Sequence, residues 1–350
     1  MGFTQMNRSH ARRASAWIAS LVAVMVVSAV STACGGTDPR DPLELVPARA
    51  NMIGSVDLAL VLADVDVTEA YDLIAASDDT MPATLSELLA MSEEELGLDL
   101  SGFGTLLLFA DVDSLTDGSG EGTDLAEFAG VLAATDLKQS DLFDAIRVGA
   151  SVAATAGEYE GVDLLDLDGG DTSVALVDGV LAFGSIDAVH AVIDVARADA
   201  PVVSGTVLDF YNELGDVWFK LALTVPDDLT DSVGDVGEFG LPVDVSALLE
   251  IEGLGVVATK DRTNAIIRVV LRYSTPELAI ETQEALTGLL ALVVGLLGDD
   301  QLSEVADVLE IAAVGNDVTI ELRQDVQESL DDLRQTLEEI EDTNPFGIGL

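Results

Sequence analysis

Few of the 350 residues are suited to metal or acid–base chemistry, and the carboxylates are too numerous to discriminate among themselves. Histidine occurs twice, at His10 and His190, and cysteine once, at Cys34. Zinc-type ligation draws on clusters of Cys and His, so no such centre is expected and no metal is assigned. A Ser-His-Asp triad would have to use His190. That residue lies in "SIDAVHAVID", beside the apolar stripe Ile186, Val189, Val192 and Ile193, with Asp187 and Asp194 within helical reach. No G-x-S-x-G turn accompanies it. His190 is therefore read as a helix-surface histidine held by its neighbours, and no catalytic residue is assigned.

Sixty-four Asp and Glu stand against fifteen Lys and Arg. The Gly-rich stretches "DVDSLTDGSGEGTD" (111–124) and "DLDGGD" (166–171) offer the oxygen ligands that hard cations take. Neither has EF-hand spacing: with Asp113 as the first position, Leu115 falls where a ligand is required. Both are read as solvated loops, and the same abundance gives no carboxylate pair weight for glycoside hydrolysis. "GSGEG" (118–122) is too acidic to cradle phosphate. Basic residues are scarce enough to be informative. Lys260, Arg262, Arg268 and Arg272 fall close together, and strand alternation puts Arg268 and Arg272 on one face. An anion-binding stripe is one reading. Cross-strand ion pairing is the expected one, since a five-residue loop over 260–264 would set Arg272 opposite Glu252 and diagonal to Glu250. No cofactor is expected.

The lone cysteine is explained by address. Arg8, Arg12 and Arg13 precede an uncharged run from Ala14 to Ala33, the layout of an export signal. About 20 uncharged residues could also just span a bilayer. The apolar part, 17–30, is shorter than that, and serines and Thr32 dilute the remainder, so cleavage is expected. "VSTAC" (30–34) resembles a bacterial lipobox, with Ser31 where leucine is usual. The resemblance implies a signal peptide over 1–33 and lipidation of Cys34, which then anchors the exported chain to the outer face of the cytoplasmic membrane. Two or more acyl chains give stable anchoring where one does not. Arg12 and Arg13 keep a twin-arginine route open beside the general one.

Loss of residues 1–33 removes three arginines and no acid, so the net charge of −49 becomes −52. Phosphate binding rests on Lys and Arg, which excludes a nucleic-acid partner. Such a surface repels itself at low salt and is relieved as the Debye length falls to about 3 Å near 1 M. Apolar residues nevertheless make up 49%, unlike a disordered acidic tail.

Residues 34–46 read as a flexible tether. Beyond them, strand-like runs alternate with helical ones: strands at 52–60, 103–113 and 127–135, helices at 84–96 and 138–154, then a meander whose Asp178-Gly179 pair signals a hairpin. Ser185 is placed to cap the next helix. The order recurs from "VWFKLALTV" (217–225) to a long helix over 275–297, strands over 309–324 and a last helix over 325–341. The expected fold is α+β: two tandem related units, 47–204 and 205–342, each an antiparallel meandering sheet with helices packed on one face, followed by a tail over 343–350. Whether the units share a sheet is left open. The uncharged run 285–298 is expected to lie buried on its sheet, or to line a pocket for a lipid. The stripe Val326, Leu330, Leu333, Leu337 and Ile340 is expected to pack on its own sheet.

"VPARANMIGSVDL" (46–58), "LGLDLSG" (96–102), "EFAGVLAAT", "EYEGVDLLDLD" and "VALVDGVLAFGSIDAVHAVID" resemble a bacterial family of exported proteins known only as a domain of unknown function. The resemblance implies a place in the cell envelope and no established catalysis. The leading expectation is a non-enzymatic, lipid-anchored envelope protein with a binding or structural role. A carrier of a lipid or other apolar ligand is the alternative, and a hydrolase with an unrecognised site the second.

Overall fold

The computed structural model describes residues 39–76, 81–96, 104–112, 128–135, 137–149, 153–167, 171–225, 250–297 and 308–343. Twelve strands form one antiparallel sheet. In chain order they are β1 (Met52–Asp57), β2 (Thr105–Ala110), β3 (Ala129–Ala134), β4 (Ala154–Tyr159), β5 (Val162–Leu167), β6 (Thr172–Val177), β7 (Val180–Ser185), β8 (Phe219–Thr224), β9 (Gly253–Asp261), β10 (Asn264–Arg272), β11 (Leu309–Val314) and β12 (Asp317–Asp325). Their order across the sheet is β11-β12-β10-β9-β8-β1-β2-β3-β7-β6-β5-β4. The seam is the β1–β8 pair, Met52 opposite Leu223 through Val56 opposite Phe219.

Local chemistry sets the turns. Asp178 (φ 50°) and Gly179 (φ 77°) both take left-handed backbone between β6 and β7, as a type I′ hairpin requires. Glu160 and Gly161 do the same between β4 and β5. The β9–β10 hairpin closes on two residues, Arg262 and Thr263, with Asp261 opposite Asn264. The five-residue loop expected there is wrong, and with it the register: Arg272 faces Gly253 on β9, not Glu252.

Among the described residues the α-helices are α1 (Leu58–Ala63), α2 (Val65–Ala76), α3 (Leu85–Leu96), α4 (Gln139–Gly149), α5 (Ile186–Ala196), α6 (Thr206–Glu213), α7 (Pro276–Leu297) and α8 (Val326–Thr343). Ser185 caps α5 as expected, its hydroxyl accepting from the Ala188 amide. The helices do not lie on one face. On β2, Leu107 and Phe109 join Ile53, Leu132, Val192 and Phe210 in a core beneath α5 and α6. Leu106 turns the other way and packs with Leu142, Phe143 and Ile146 of α4. "TLLLFA" is apolar at consecutive positions because each of its faces meets apolar neighbours, Leu107 and Phe109 on one and Leu106 on the other. α7 covers β10–β12 on the α4 side, through Leu271, Tyr273, Ala279 and Val318. α8 does not rest chiefly on its own sheet: it lies along α2, with Arg334 paired to Glu69, and touches β12.

Candidate functional site

His190 sits where the sequence put it, on the outer side of α5, within a shallow open concavity of about 500 Å³. Its ring stacks on Tyr159, centroids 3.7 Å apart and planes 7° from parallel. The Tyr159 hydroxyl reaches the Asp194 carboxylate at 3.4 Å. Burial and the neighbouring Asp194 charge push the Tyr159 phenol above its ordinary value. Across the concavity, Arg49 donates to Asp111 at 2.6 Å and lies over the Phe128 ring. A base needs its nucleophile within hydrogen-bond reach. Among the described residues no hydroxyl is bonded to His190, and the nearby Ser185 hydroxyl is engaged as the α5 cap. These contacts join α5 to β4, with the Tyr159 ring as the neighbour of His190 and Asp194 engaged by the Tyr159 hydroxyl.

Three of the four clustered cations are paired, with partners the sequence did not identify, while Arg262 lies exposed in the β9–β10 turn. Arg272 lies over Phe210 and bonds Asp317 at 2.8 Å and Glu213 at 2.6 Å, which raises its already high basicity. Arg268 bonds Glu321 on β12. Lys260 is clamped by Asp64 at 2.8 Å and by Asp66. Burial opposes its charge, but the two carboxylate hydrogen bonds outweigh that and raise its affinity for the proton. Lys260 thereby ties the α1–α2 corner to the end of β9. Cys34, Asp113–Asp124 and the Asp168–Gly170 part of the second acidic loop lie outside the described residues. No group of three or more His, Cys, Asp or Glu arranged to hold a metal occurs among the described residues.

The feature that the sequence did not disclose is a continuous apolar surface. Directly paired residues of antiparallel strands share a face, so registers can be followed from strand to strand. One row runs Ala156, Leu165, Val174, Phe183, Val131, Leu108, Gly54, Leu221, Val256, Val269, Ile320, Ile311. Every strand contributes one residue, and none is polar. The neighbouring row is Leu176, Leu181, Ala133, Leu106, Val56, Phe219, Ala258, Ile267, Leu322, Leu309. It too is wholly apolar.

This is the face on which α4 and α7 sit, and between those helices it is incompletely covered. On β9 the burial alternates: Gly253, Gly255 and Val257, beneath α6, are buried, whereas Leu254, Val256 and Ala258 on the other face are half-buried. β8 repeats this, with Lys220 and Ala222 buried and Phe219, Leu221 and Leu223 half-buried. On β2, Leu107 is 3% exposed while adjacent Leu108 is half-buried. On β10, Ile267 is 49% exposed. The nearby helices share the property. α2 has Ala75 as its buried residue, and the uncharged half of α7 is not the buried element expected: Leu289, Leu290 and Leu292 are half-buried and Ala291 exposed. The concavities at His190 and between α4 and β4–β5 lie away from this strip. Among the described residues the sheet thus has one well-packed face and, on the other, an apolar strip centred on β2-β1-β8-β9-β10 that α4 and α7 leave incompletely covered.

No known family model matches the chain, and no curated protein matches it. Among solved structures it is similar to TP0453 in crystal forms III, I and IV, with TM-scores of 0.44, 0.42 and 0.45 and 10% identity in each case. The alignments cover 85%, 87% and 84% of this chain and 98%, 99% and 96% of those. No helix among the described residues is long and apolar enough to cross a membrane.

Proposed function

We propose that this chain is a non-enzymatic binding protein of the cell envelope, anchored through acylated Cys34, whose open sheet face takes up a lipid or other apolar ligand. One observation carries the reading: adjacent residues of the same type, Leu107 and Leu108 on β2 and Val257 and Val256 on β9, are buried on one face and half-buried on the other. A folded chain gains about 25 cal/mol for each Å² of apolar surface removed from water. Contiguous exposed apolar surface is accordingly rare on monomers and marks an interaction site. The strip also has the character of a ligand site, a broad apolar lining with few polar groups. The strand order supports a duplicated body of units 47–204 and 205–342: β1-β2-β3-β7-β6 and β8-β9-β10-β12-β11 run outward from the seam in the same order, the first unit adding the β4–β5 hairpin at its margin.

The test is organic extraction of the purified full-length chain, with mass spectrometry of the extract. Long-chain lipid in stoichiometric amount is expected, with loss of that lipid in a folded Leu221→Asp variant. An empty extract, together with no uptake of an alkyl-chain fluorophore, would refute it. Mass spectrometry of the mature N-terminus tests the address, and an unacylated Cys34 would remove its basis.

A further inference from the structure

The reading just given leaves the head group of the ligand open, and charge and position restrict it. We propose that the strip takes lipids with an uncharged head group from the leaflet holding Cys34, and discriminates against anionic lipids of the same chain length. This rests on the apolar-ligand reading and narrows it.

Two observations bear on the source. Pro39 packs on the β6–β7 turn, its Cα 3.1 Å from where a Cβ on Gly179 would stand, and the Arg40 amide donates to Asp178. Cys34 precedes Pro39 by five residues, a reach of at most about 18 Å even fully extended. The turn is thus held close to the membrane in the anchored protein. Leu181 and Ala133, next to that turn, begin the row that continues through Leu106 to Val56, Phe219 and Ala258 on the open strip. From Leu108 on β2 to Val269 on β10 the strip crosses four strand spacings, about 19 Å. One leaflet of a hydrocarbon core about 30 Å thick is about 15 Å deep, so a membrane-derived chain fits the strip at full length.

Charge decides the head group. On the strip's own face the next residue beyond Ala258 is Lys260, the strand cation closest to the open floor. It is already over-matched by Asp64 and Asp66, and Gln327 donates to Asp66 as well. α2 and α7 between them carry six carboxylates and no Lys or Arg. Arg334 on α8 is held by Glu69 and Asp331. Arg262 stands exposed in the β9–β10 turn, beyond the end of the strip and outside its floor. A carboxylate or phosphate head group over the strip would therefore meet carboxylates before a cation and face like charge within the range where unit charges interact by about 1–2 kcal/mol at an intermediate dielectric. An alcohol, ester or acylglycerol meets no such penalty.

The experiment is competition for an uncharged alkyl fluorophore bound to the delipidated full-length chain. Hexadecanol and palmitate, both below their aggregation limits, are compared at pH 8 in low salt and again in 1 M NaCl. Hexadecanol is expected to compete about tenfold or more better in low salt, the gap narrowing in 1 M salt and in Asp66→Asn. Equal competition, or a gap indifferent to salt, overturns the head-group assignment while leaving apolar binding intact. No binding of the fluorophore by the folded chain overturns both.

Discussion

Leu107 and Leu108 are neighbours on one strand, identical in chemistry and opposite in environment, so truncating each in turn measures the openness of the strip. Leu107 is 3% exposed in the core with Ile53 and Leu132. Leu107→Ala removes packed methyl groups and leaves a closed void, a change that costs about 3–5 kcal/mol in well-packed cores. Leu108 stands opposite Gly54 and Val131 on the open floor and is half-buried. Leu108→Ala loses part of the transfer energy and creates no closed void, so about 1 kcal/mol is expected. Urea unfolding reads the difference: with a slope of about 3 kcal/mol per M, the midpoint should fall by about 1 M or more for Leu107→Ala and about 0.3 M for Leu108→Ala. Equal losses would show that Leu108 is packed as tightly as Leu107, and the open strip would then not exist. A ligand at a hundredfold its Kd should add about 2.7 kcal/mol to the parent. That increment should shrink in Leu108→Ala and persist in Leu107→Ala.

Tyr273→Phe should leave stability unchanged or raise it by about 1 kcal/mol, because the buried Tyr273 hydroxyl faces Thr282 of α7 without a hydrogen bond of ordinary geometry among the described residues; a loss above that size in urea unfolding would show that the Tyr273–Thr282 bond forms. Gly179→Ala should cost about 1 kcal/mol or more, since φ there is +77° and the new methyl would meet Pro39; an unchanged urea midpoint would contradict the docked tether. Burial alone would raise the Asp64 and Glu321 carboxyls, yet hydrogen bonds from Lys260 and from Arg268 and Arg323 hold both below the ordinary range. Their stabilisation is therefore present above about pH 4 and lost as pH falls through the depressed values. Lys260→Met should flatten that acid limb, and parallel profiles for parent and variant would refute the assignment.

Features governed by neighbouring residues were legible in the sequence. Asp178-Gly179 fixed a hairpin and Ser185 a cap because the backbone conformation required is local to those residues. The β9–β10 turn was not, since Asp261-Arg262-Thr263-Asn264 carries no glycine to mark its two-residue loop. That misreading moved Arg272 off Asp317, its partner on a strand some forty residues later. The strand expected over 52–60 ends at Asp57, where the Asp57 cap starts α1, and α2 carries no assignment from sequence because "LALVLADVDVTEAYDLIAA" is mixed in propensity, with Asp64 supplying its cap. The open strip was least accessible. Apolar residues on both faces of β1, β2, β8 and β9 look alike in one dimension, and which face stays uncovered depends on where α4, α6 and α7 come to rest. The one hint was the uncharged run 285–298, whose incomplete burial belongs to the same surface.

The β1–β8 seam bears on solubility. Two separate sheets would present four terminal strands, each a row of unpaired amides and carbonyls able to template association with other chains. Joining them edge to edge leaves two, β4 and β11. Each survivor carries an outward acid, Glu158 on β4 and Glu310 on β11, both exposed. In a chain of net charge −49, like charge on both margins opposes the addition of a further strand from a second copy.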